Sequence, residues 1–185
     1  MSRENPWTIL SSKTVYDNPW INVTEFGVLN PSGGNGIYGK VHFKNIAIGV
    51  LPLDRELNTY LVGQFRFPIG MYCWEIPEGG GPSGTDPLES AKRELIEETG
   101  LIAHTWTRLQ EMHISNSVTD EQAVIFLARD LEQHEASPEE TEQLAVKKIP
   151  FEQVYHMVEN GQITDSITVA SVLKIKLMIA DGRIS

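Results

Sequence analysis

The stretch over residues 78–101, EGGGPSGTDPLESAKRELIEETGL, constrains the fold more than any other part of the chain. It begins as a glycine-rich loop and continues as a helix whose two ends are marked by their residue types. Asp86 stands at the N-cap position, Pro87 follows at the first helical position, and Glu89 completes an Asp-x-x-Glu capping box. Gly100 supplies the left-handed residue that commonly ends a helix. The sequence therefore predicts a glycine-rich loop followed by a capped helix.

Two faces of this helix differ in their chemistry. Leu88, Ala91 and Leu95 recur at spacings of three and four residues, which predicts a short buried stripe. Another face of the helix is acidic. Its first residue lies three and four positions before the other two, so it is a neighbour of both, with roughly 5–6 Å between the Cβ atoms. The members of this acidic face are Glu94, Glu97 and Glu98.

The acidic face is electrostatically unfavourable for a helix on its own. Like charges at this spacing repel, and the helix macrodipole disfavours negative charge near the C-terminal end. Arg93 lies four residues before Glu97 and offsets part of the repulsion, but one cation does not balance three carboxylates. Two interpretations follow from the residues alone. The segment is either a solvated acidic helix end or a site for a hard cation such as Mg²⁺, which prefers oxygen ligands.

The same segment resembles the Nudix box, the family pattern G-x5-E-x7-R-E-U-x-E-E-x-G-U, in which U is a bulky apolar residue. Gly79 fills the first position. One position departs, because Thr85 stands where the pattern has its first glutamate. All other specified positions are matched, by Arg93, Glu94, Leu95, Glu97, Glu98, Gly100 and Leu101.

The resemblance implies a metal-dependent hydrolase and assigns roles to the residues of the box. Glu94 and Glu98 are implied as the main ligands of Mg²⁺, or of Mn²⁺ in its place. Glu97 is implied as a further ligand or as the catalytic base, and Arg93 as the residue that holds these carboxylates in position. The backbone carbonyl of Glu78 is implied as an additional metal ligand.

The similarity extends upstream of the box, and there the sequence resembles one subgroup of the family, the ADP-ribose pyrophosphatases. The order Gln64-Phe65-Arg66, Pro68-Ile69-Gly70, Trp74-Glu75-Ile76-Pro77 resembles the Q-Y-R…P-x-G…W-E-L-P-A-G run of that subgroup. Arg66 either holds a phosphate through its guanidinium fork or pairs with a surface carboxylate. Glu75 either accepts hydrogen bonds from the nucleoside or forms a structural salt bridge. Gly79 and Gly80 allow the backbone to approach substrate and metal closely.

The sequence pattern of residues 1–40 predicts short strands and turns. They resemble the small antiparallel sheet that ADP-ribose pyrophosphatases carry ahead of their Nudix domain, where it contributes to a dimer and to the partner's substrate pocket. Trp20 and Tyr38 either stack on a base or are buried aromatic residues of this sheet. The resemblance implies an N-terminal β subdomain over residues 1–40, a Nudix domain over residues 41–185, and a homodimer.

Downstream of residue 40 the sequence alternates between strand and helix patterns. Ile46–Leu53 is a nearly continuous apolar run, which is typical of a strand buried on both faces. Tyr60–Phe65 returns as a second strand, and the two together predict a hairpin in the middle of a sheet. A final helix begins near Asp165, and its spacing predicts an inner face formed by Ile167, Ala170, Leu173 and Leu177. Such alternation predicts an α/β layered domain, and the resemblance implies the Nudix α/β/α sandwich with a mixed β-sheet.

The polar loop over residues 115–121 lies between two further predicted strands. In ADP-ribose pyrophosphatases the corresponding loop supplies a glutamate that orients or deprotonates the attacking water. Glu121 is the first candidate for this role and Asp120 the second, and a solvated loop acid is the alternative.

Composition excludes several classes of partner. The formal net charge of −10 argues against non-specific binding of nucleic acid, which needs a basic surface. Cys73 is the single cysteine, so no intramolecular disulfide forms and a reducing cytosol is expected. No apolar run approaches the roughly 20 residues that cross a bilayer. We therefore expect a cytoplasmic protein without a nucleic-acid or membrane partner.

The resemblance implies hydrolysis of the pyrophosphate bond of a nucleoside diphosphate sugar, with ADP-ribose giving AMP and ribose 5-phosphate. One alternative is another substrate, such as an ADP-sugar, a GDP-sugar or a dinucleotide. A second alternative is a weakly catalytic domain that binds a nucleotide sugar as a sensor. Thr85 favours the sensor, whereas the retained acids of the helix favour the enzyme.

Overall fold

The computed structural model describes residues 4–136 and 144–184, which form two compact units. The first unit comprises the described residues up to Asn45 together with His113–Gln122, and the second comprises the remaining described residues. The strands are β1 (Thr8–Asp17), β2 (Ile21–Leu29), β3 (Asn35–Phe43), β4 (Asn45–Pro52), β5 (Asn58–Arg66), β6 (Met71–Glu75), β7 (Glu78–Pro82), β8 (Leu101–His113), β9 (Gln122–Gln133) and β10 (Ala145–Pro150). The helices are α1 (Pro87–Thr99), α2 (Phe151–Glu159), α3 (Ser166–Ala180) and a short 3₁₀ helix at Phe67–Ile69.

The first unit contains an antiparallel sheet in the order β1-β2-β3. Asn18 shapes the first turn, since its side-chain oxygen accepts hydrogen bonds from the amides of Trp20 at 2.9 Å and Ile21 at 2.7 Å. Asn30 shapes the second turn in the same way, through the amides of Ser32 and Gly34. The small N-terminal antiparallel sheet expected from the sequence is therefore present.

The second unit contains two sheets, in the orders β10-β5-β6 and β7-β4-β9-β8. β4 and β9 run parallel while β5 pairs antiparallel with both neighbours. The predicted hairpin of β4 and β5 is therefore wrong, because the two strands lie in different sheets. They share only an isolated bridge between Leu53 and Thr59. An apolar run shows that a strand is buried, but it does not identify the strand that becomes its neighbour.

The acid-bearing helix α1 packs on the four-stranded sheet as its sequence pattern predicts. Ala91 and Leu95 are fully buried and join a core that includes Ile48, Val50 and Phe126. Such a core supplies most of the stabilisation of an amphipathic helix. The apolar stripe thereby fixes which face of α1 turns away from the core and carries the acids.

The last helix, α3, turns a different face inward than its sequence pattern predicted. Leu173 and Leu177 are 43% and 62% exposed, so their assignment to the inner face is wrong. α3 is apolar around most of its circumference, so spacing alone did not identify the buried face. Of the other two predicted residues, Ile167 is buried and Ala170 is partly buried. The remaining buried residues of α3 are Thr168, Ser171, Val172 and Ile175.

The ends of the helices follow the capping residues. The Asp86 side chain accepts a hydrogen bond from the Leu88 amide at 3.0 Å, and Gly100 adopts the left-handed conformation with φ of 71°. Glu89 does not complete the expected capping box, because its carboxylate pairs with Lys92 at 2.7 Å. In the described ranges, no helix has the length and apolar character needed to span a membrane.

The turn between β4 and β5 depends on one partly buried carboxylate. Asp54 Oδ1 accepts hydrogen bonds from the amides of Glu56 at 3.0 Å and Asn58 at 2.7 Å, and Oδ2 pairs with Lys148 Nζ at 2.6 Å. Partial burial raises the pKa of Asp54, but the hydrogen bonds from Lys148 and Asn58 outweigh it and hold the pKa below its ordinary value. The charged carboxylate therefore stabilises the fold.

Replacing this carboxylate should lower stability in a pH-dependent manner. Asp54→Asn should reduce the free energy of unfolding by about 1–2 kcal/mol at neutral pH, because the bond from Lys148 loses its charge. Because the pKa of Asp54 is lower in the folded protein than in the unfolded chain, its carboxylate stabilises the fold at pH values above the unfolded-state pKa. The difference in unfolding free energy between the wild type and Asp54→Asn should therefore shrink as the pH falls below about 4. Urea unfolding across pH measures this, with Glu56→Gln as an exposed-acid control. A difference that is independent of pH would contradict the prediction.

Candidate active site

Two carboxylates of α1 lie buried against the glycine-rich strand β7. Glu94 and Glu98 are 8% and 2% exposed. The Glu78 amide donates a hydrogen bond to Glu98 Oε2 at 3.0 Å. A Cβ atom built on Gly79 would overlap the carboxylate of Glu94, so a larger residue at this position would force that carboxylate to move. The strand and the acidic face of the helix are therefore in direct contact.

Arg93 joins the acidic face to the glycine loop. Its Nη2 donates to Glu94 Oε1 at 2.6 Å and to the Gly80 carbonyl at 3.0 Å. Its Nη1 donates to Glu97 Oε2 at 2.6 Å. Partial burial lowers the pKa of Arg93, but the charges of Glu94 and Glu97 outweigh it and hold the pKa above its ordinary value. The contacts thus fit the positioning role that the Nudix resemblance implies.

The side chain of Glu78 contacts α3, which sequence analysis missed. Thr168 Oγ1 donates a hydrogen bond to Glu78 Oε1 at 3.1 Å, and it accepts one from the Ile76 amide at 3.1 Å. Burial, followed by the nearby charge of Asp165, raises the pKa of the Glu78 carboxyl well above its ordinary value. The one sequence feature that could have indicated this contact is the glutamate at position 78, because the W-E-L-P-A-G run has alanine there.

Thr85, the residue that replaces the first glutamate of the box, closes a turn. Its hydroxyl donates to the Pro82 carbonyl at 2.7 Å, and the Thr85 amide donates to the same carbonyl at 3.2 Å. The side chain thus stabilises the loop that enters α1. It supplies no carboxylate at that position of the box.

The donor set of the helix fits a hard cation. Buried carboxylate oxygens are the ligands that Mg²⁺ and similar ions prefer, and Glu94 and Glu98 present them four residues apart on one face. The absence of a side chain at Gly79 keeps the strand close to these oxygens. Among residues 4–136 and 144–184, no three His, Cys, Asp or Glu side chains lie close enough together to enclose a metal ion. The acids are held instead by Arg93 and the Glu78 amide.

Arg66 and Glu75 form an ion pair at the junction of β5 and β6. Arg66 Nε and Nη2 lie 2.9 Å and 2.5 Å from Glu75 Oε2. Burial lowers the pKa of Arg66, but the hydrogen bond and charge of Glu75 outweigh it and raise the pKa above its ordinary value. This is the salt bridge that the sequence left open as an alternative. The Arg66 side chain is 37% exposed, and substrate contacts of the pair stay a prediction.

Trp20 and Tyr38 belong to the first unit and are both exposed. Trp20 is 67% exposed and Tyr38 is 39% exposed, so neither is a buried aromatic residue of the sheet. The Tyr38 hydroxyl donates to the Ser117 carbonyl at 2.6 Å, and its ring meets Trp7 edge to face at 5.3 Å. Tyr38 also lines a cavity of about 390 Å³ within this unit. Stacking of either ring on a base is not tested by these contacts.

The loop that carries Glu121 is anchored by Asp120 within the first unit. Asp120 Oδ1 accepts from the Phe43 amide at 3.1 Å, while Oδ2 contacts His42 Nδ1 at 2.8 Å and Lys40 Nζ at 3.1 Å. Partial burial raises the pKa of Asp120, but the bonds from His42 and Lys40 outweigh it and hold the pKa below its ordinary value. Asp120 therefore serves the loop structure. The catalytic role of Glu121 stays a prediction.

Comparison with known proteins adds two family matches. Residues 44–168 match the NUDIX domain, and residues 7–41 match the nucleoside diphosphate sugar hydrolase N-terminal domain. The chain belongs to the Nudix family. It is a pyrophosphohydrolase. The predicted α/β/α sandwich with a mixed sheet, preceded in the sequence by a small antiparallel sheet, is confirmed.

Individual relatives agree with the family match. An ADP-ribose pyrophosphatase of Mycobacterium tuberculosis is 30% identical over 93% of this chain and 84% of its own length. An ADP-ribose pyrophosphatase of Bacillus subtilis is 32% identical over 71% of this chain and 72% of its own length. A crystal structure of an ADP compounds hydrolase superposes over the whole of both chains with a TM-score of 0.86 at 20% identity, which shows a shared fold.

In this Nudix hydrolase, a methyl group at position 79 should displace the buried acids. Gly79→Ala places a Cβ where the Glu94 carboxylate lies, and a displacement of about 1 Å in an active site costs on the order of 100-fold in rate. Steady-state hydrolysis of ADP-ribose measures the loss. Gly39→Ala is the control, because a Cβ at that strand glycine meets no atom within 4 Å. Equal activity of the two variants would contradict the prediction.

Proposed function

We propose that this enzyme hydrolyses the pyrophosphate bond of a nucleoside diphosphate sugar, and that ADP-ribose is cleaved to AMP and ribose 5-phosphate. The contact of the buried Glu94 and Glu98 with the glycine strand carries the proposal, because it provides oxygen donors beside backbone that a diphosphate approaches. The match of residues 7–41 to a nucleoside diphosphate sugar hydrolase N-terminal domain supports the substrate class. The two bacterial ADP-ribose pyrophosphatases support ADP-ribose as its first member.

The proposed cofactor is Mg²⁺, with Mn²⁺ as a substitute. Glu94 and Glu98 would hold it, with Glu97 and the backbone carbonyl of Glu78 as further ligands. When bound, such an ion neutralises phosphate charge and increases the acidity of water. Arg93 keeps the carboxylates oriented through its contacts of 2.6 Å to Glu94 and Glu97. The proposed proton acceptor is Glu121 or Glu97, and Asp120 is the second candidate within the loop.

The remaining substrate contacts are proposed from exposure and chemistry. Arg66 would bind a phosphate with the part of its guanidinium that Glu75 leaves accessible, and Glu75 would orient Arg66 or accept from the nucleoside. Gly79 and Gly80 would bring the backbone close to the diphosphate. The exposed rings of Trp20 and Tyr38 would stack on the base. The single Cys73 supports a cytoplasmic location.

A panel of substrates tests the assignment directly. ADP-ribose, other ADP-sugars, GDP-sugars and dinucleoside polyphosphates are each incubated with the full chain and Mg²⁺, and the products are identified by mass spectrometry. AMP and ribose 5-phosphate should form fastest from ADP-ribose. Faster turnover of another member would reassign the substrate, and binding of ADP-ribose without any product would favour the sensor.

Glu98→Gln should nearly abolish hydrolysis. The substitution keeps the shape of the side chain but removes a negative oxygen ligand, so we expect kcat to fall by about 100-fold or more at fixed Mg²⁺. Glu89→Gln is the matched control, because Glu89 is an exposed acid of the same helix that pairs only with Lys92 at 2.7 Å in the described contacts. The control should retain wild-type kcat. Full activity of Glu98→Gln would refute the proposed role.

We further propose a homodimer formed through the N-terminal sheet. Every residue of β1 is exposed, including Ile9, Leu10, Val15 and Tyr16, which are 51–61% exposed. β1 is also an edge of its sheet, a position that favours pairing with another chain.

Light scattering at micromolar concentration checks the assembly. Wild-type protein should show twice the mass of one chain, and Leu10→Glu should shift it towards the monomer by placing a charge in the apolar surface. Ser12→Glu, on the same strand, adds the same charge at a polar position and should retain more of the dimer. A monomeric wild-type protein would contradict the proposal.

A further inference from the structure

The segment over residues 76–79, which runs from the end of β6 into the glycine-rich strand β7, is held from two sides. On one side, Glu98 of α1 accepts a hydrogen bond from the Glu78 amide at 3.0 Å. On the other side, Thr168 of α3 accepts a hydrogen bond from the Ile76 amide at 3.1 Å. Gly79, the residue after Glu78, packs directly against the carboxylate of Glu94. A displacement of this segment is therefore transmitted to the acids.

The Thr168 hydroxyl both accepts and donates. Besides accepting from Ile76, it donates to Glu78 Oε1 at 3.1 Å. The Thr168 amide donates to Asp165 Oδ2 at 2.7 Å, which fixes the residue in the first turn of α3. The side chain is fully buried, so removal of the hydroxyl would leave the buried Ile76 amide and the partly buried Glu78 carboxyl without this partner. The hydroxyl thus connects α3 to residues 76 and 78, beside a hydrogen bond between the side chains of Asp165 and Glu78.

We propose that Thr168 is a positioning residue, and that its hydroxyl sets the cation affinity of the α1 acids by holding the strand segment over residues 76–79. The inference rests on the proposed function, in which Glu94 and Glu98 bind a divalent cation. Thr168 acts through the backbone of this segment. Groups that orient ligands in this indirect way commonly change metal affinity by about 10–100-fold when they are removed.

Glu78 makes the connection stronger in this chain than in the run it resembles. The W-E-L-P-A-G run has alanine at the corresponding position, and alanine has no carboxyl group to accept a hydrogen bond from a threonine. Here the hydroxyl contacts the segment at two points, the Ile76 amide and the Glu78 carboxyl. Two points of contact restrain both the position and the rotation of the strand that enters the loop.

Two substitutions separate the hydroxyl of Thr168 from its methyl group. Thr168→Val keeps the shape of the side chain but neither donates nor accepts, whereas Thr168→Ser keeps the hydroxyl. Calorimetric titration of the full chain with Mn²⁺ should give a Kd that is about tenfold higher for Thr168→Val. Thr168→Ser should restore the wild-type value. The Mg²⁺ concentration that half-saturates hydrolysis should rise in parallel in the valine variant.

Ser171→Ala is the matched control on the same helix. Ser171 is fully buried on the same face, and its hydroxyl donates to the Ile167 carbonyl at 2.6 Å, within α3 itself. The control removes a buried hydroxyl without releasing the strand, so it should reduce stability and leave the Mn²⁺ Kd unchanged. A wild-type Mn²⁺ Kd for Thr168→Val, or an equal shift for Ser171→Ala, would overturn the inference.

Amide hydrogen exchange separates this inference from the proposed function. Thr168→Val should accelerate exchange at the Glu78 amide, which bonds to Glu98 and not to Thr168. Acceleration confined to the Ile76 amide would show only the loss of a direct bond, and it would overturn the positioning role. If the wild-type protein bound no Mn²⁺, both the proposed cofactor and the proposed effect of Thr168 on cation affinity would be overturned. Exchange at the Glu78 amide would still show whether Thr168 positions residues 76–79.

Discussion

The burial of two carboxylates against bare backbone is the constraint on which the active site depends. Charged groups are unfavourable in a protein interior unless hydrogen bonds and opposite charges compensate them. Arg93 and the Glu78 amide provide that compensation for Glu94 and Glu98. Gly79 leaves room for the Glu94 carboxylate, because a Cβ atom at this position would overlap it. The glycine-rich strand, the arginine and the two acids therefore depend on one another.

This arrangement explains why α1 carries acidic residues where they are electrostatically unfavourable. Three acids near the C-terminal end of a helix oppose the macrodipole and repel one another. The apolar contacts of Ala91 and Leu95 with the sheet compensate for this locally unfavourable charge, together with the caps at Asp86 and Gly100. Helix stability thus comes from one face and from the ends. The other face is left available for chemistry.

The sequence predicted what is encoded locally and missed what depends on distant contacts. The N-cap at Asp86, the stop at Gly100 and the start of α3 after Asp165 follow from neighbouring residues, and all three occur. The acidic face and its arginine followed from helical spacing and the Nudix resemblance. The contact of Thr168 with Glu78 joins residues that are 90 positions apart, so no local pattern identified it. The sheet to which β5 belongs was missed for the same reason.

The N-terminal unit shows a second limit of local patterns. Residues 113–122 are distant in sequence from the N-terminal strands, and no local pattern predicted that they pack together in the first unit. Backbone bonds between Val41 and the loop at Val118 and Asp120 make this connection, and the Asp120 side chain reinforces it. The loop that carries Glu121 is therefore ordered by the N-terminal strands.

The charges of the site also explain why a divalent cation belongs in the proposed reaction. A diphosphate carries several negative charges, and this chain has a formal net charge of −10. Arg93 and Arg66 are each paired with carboxylates, so their positive charge is already offset before substrate arrives. A cation held by the helix acids would reverse the local field and would make the site attractive to phosphate. The same acids that repel the substrate in the bare protein then become the means of holding it.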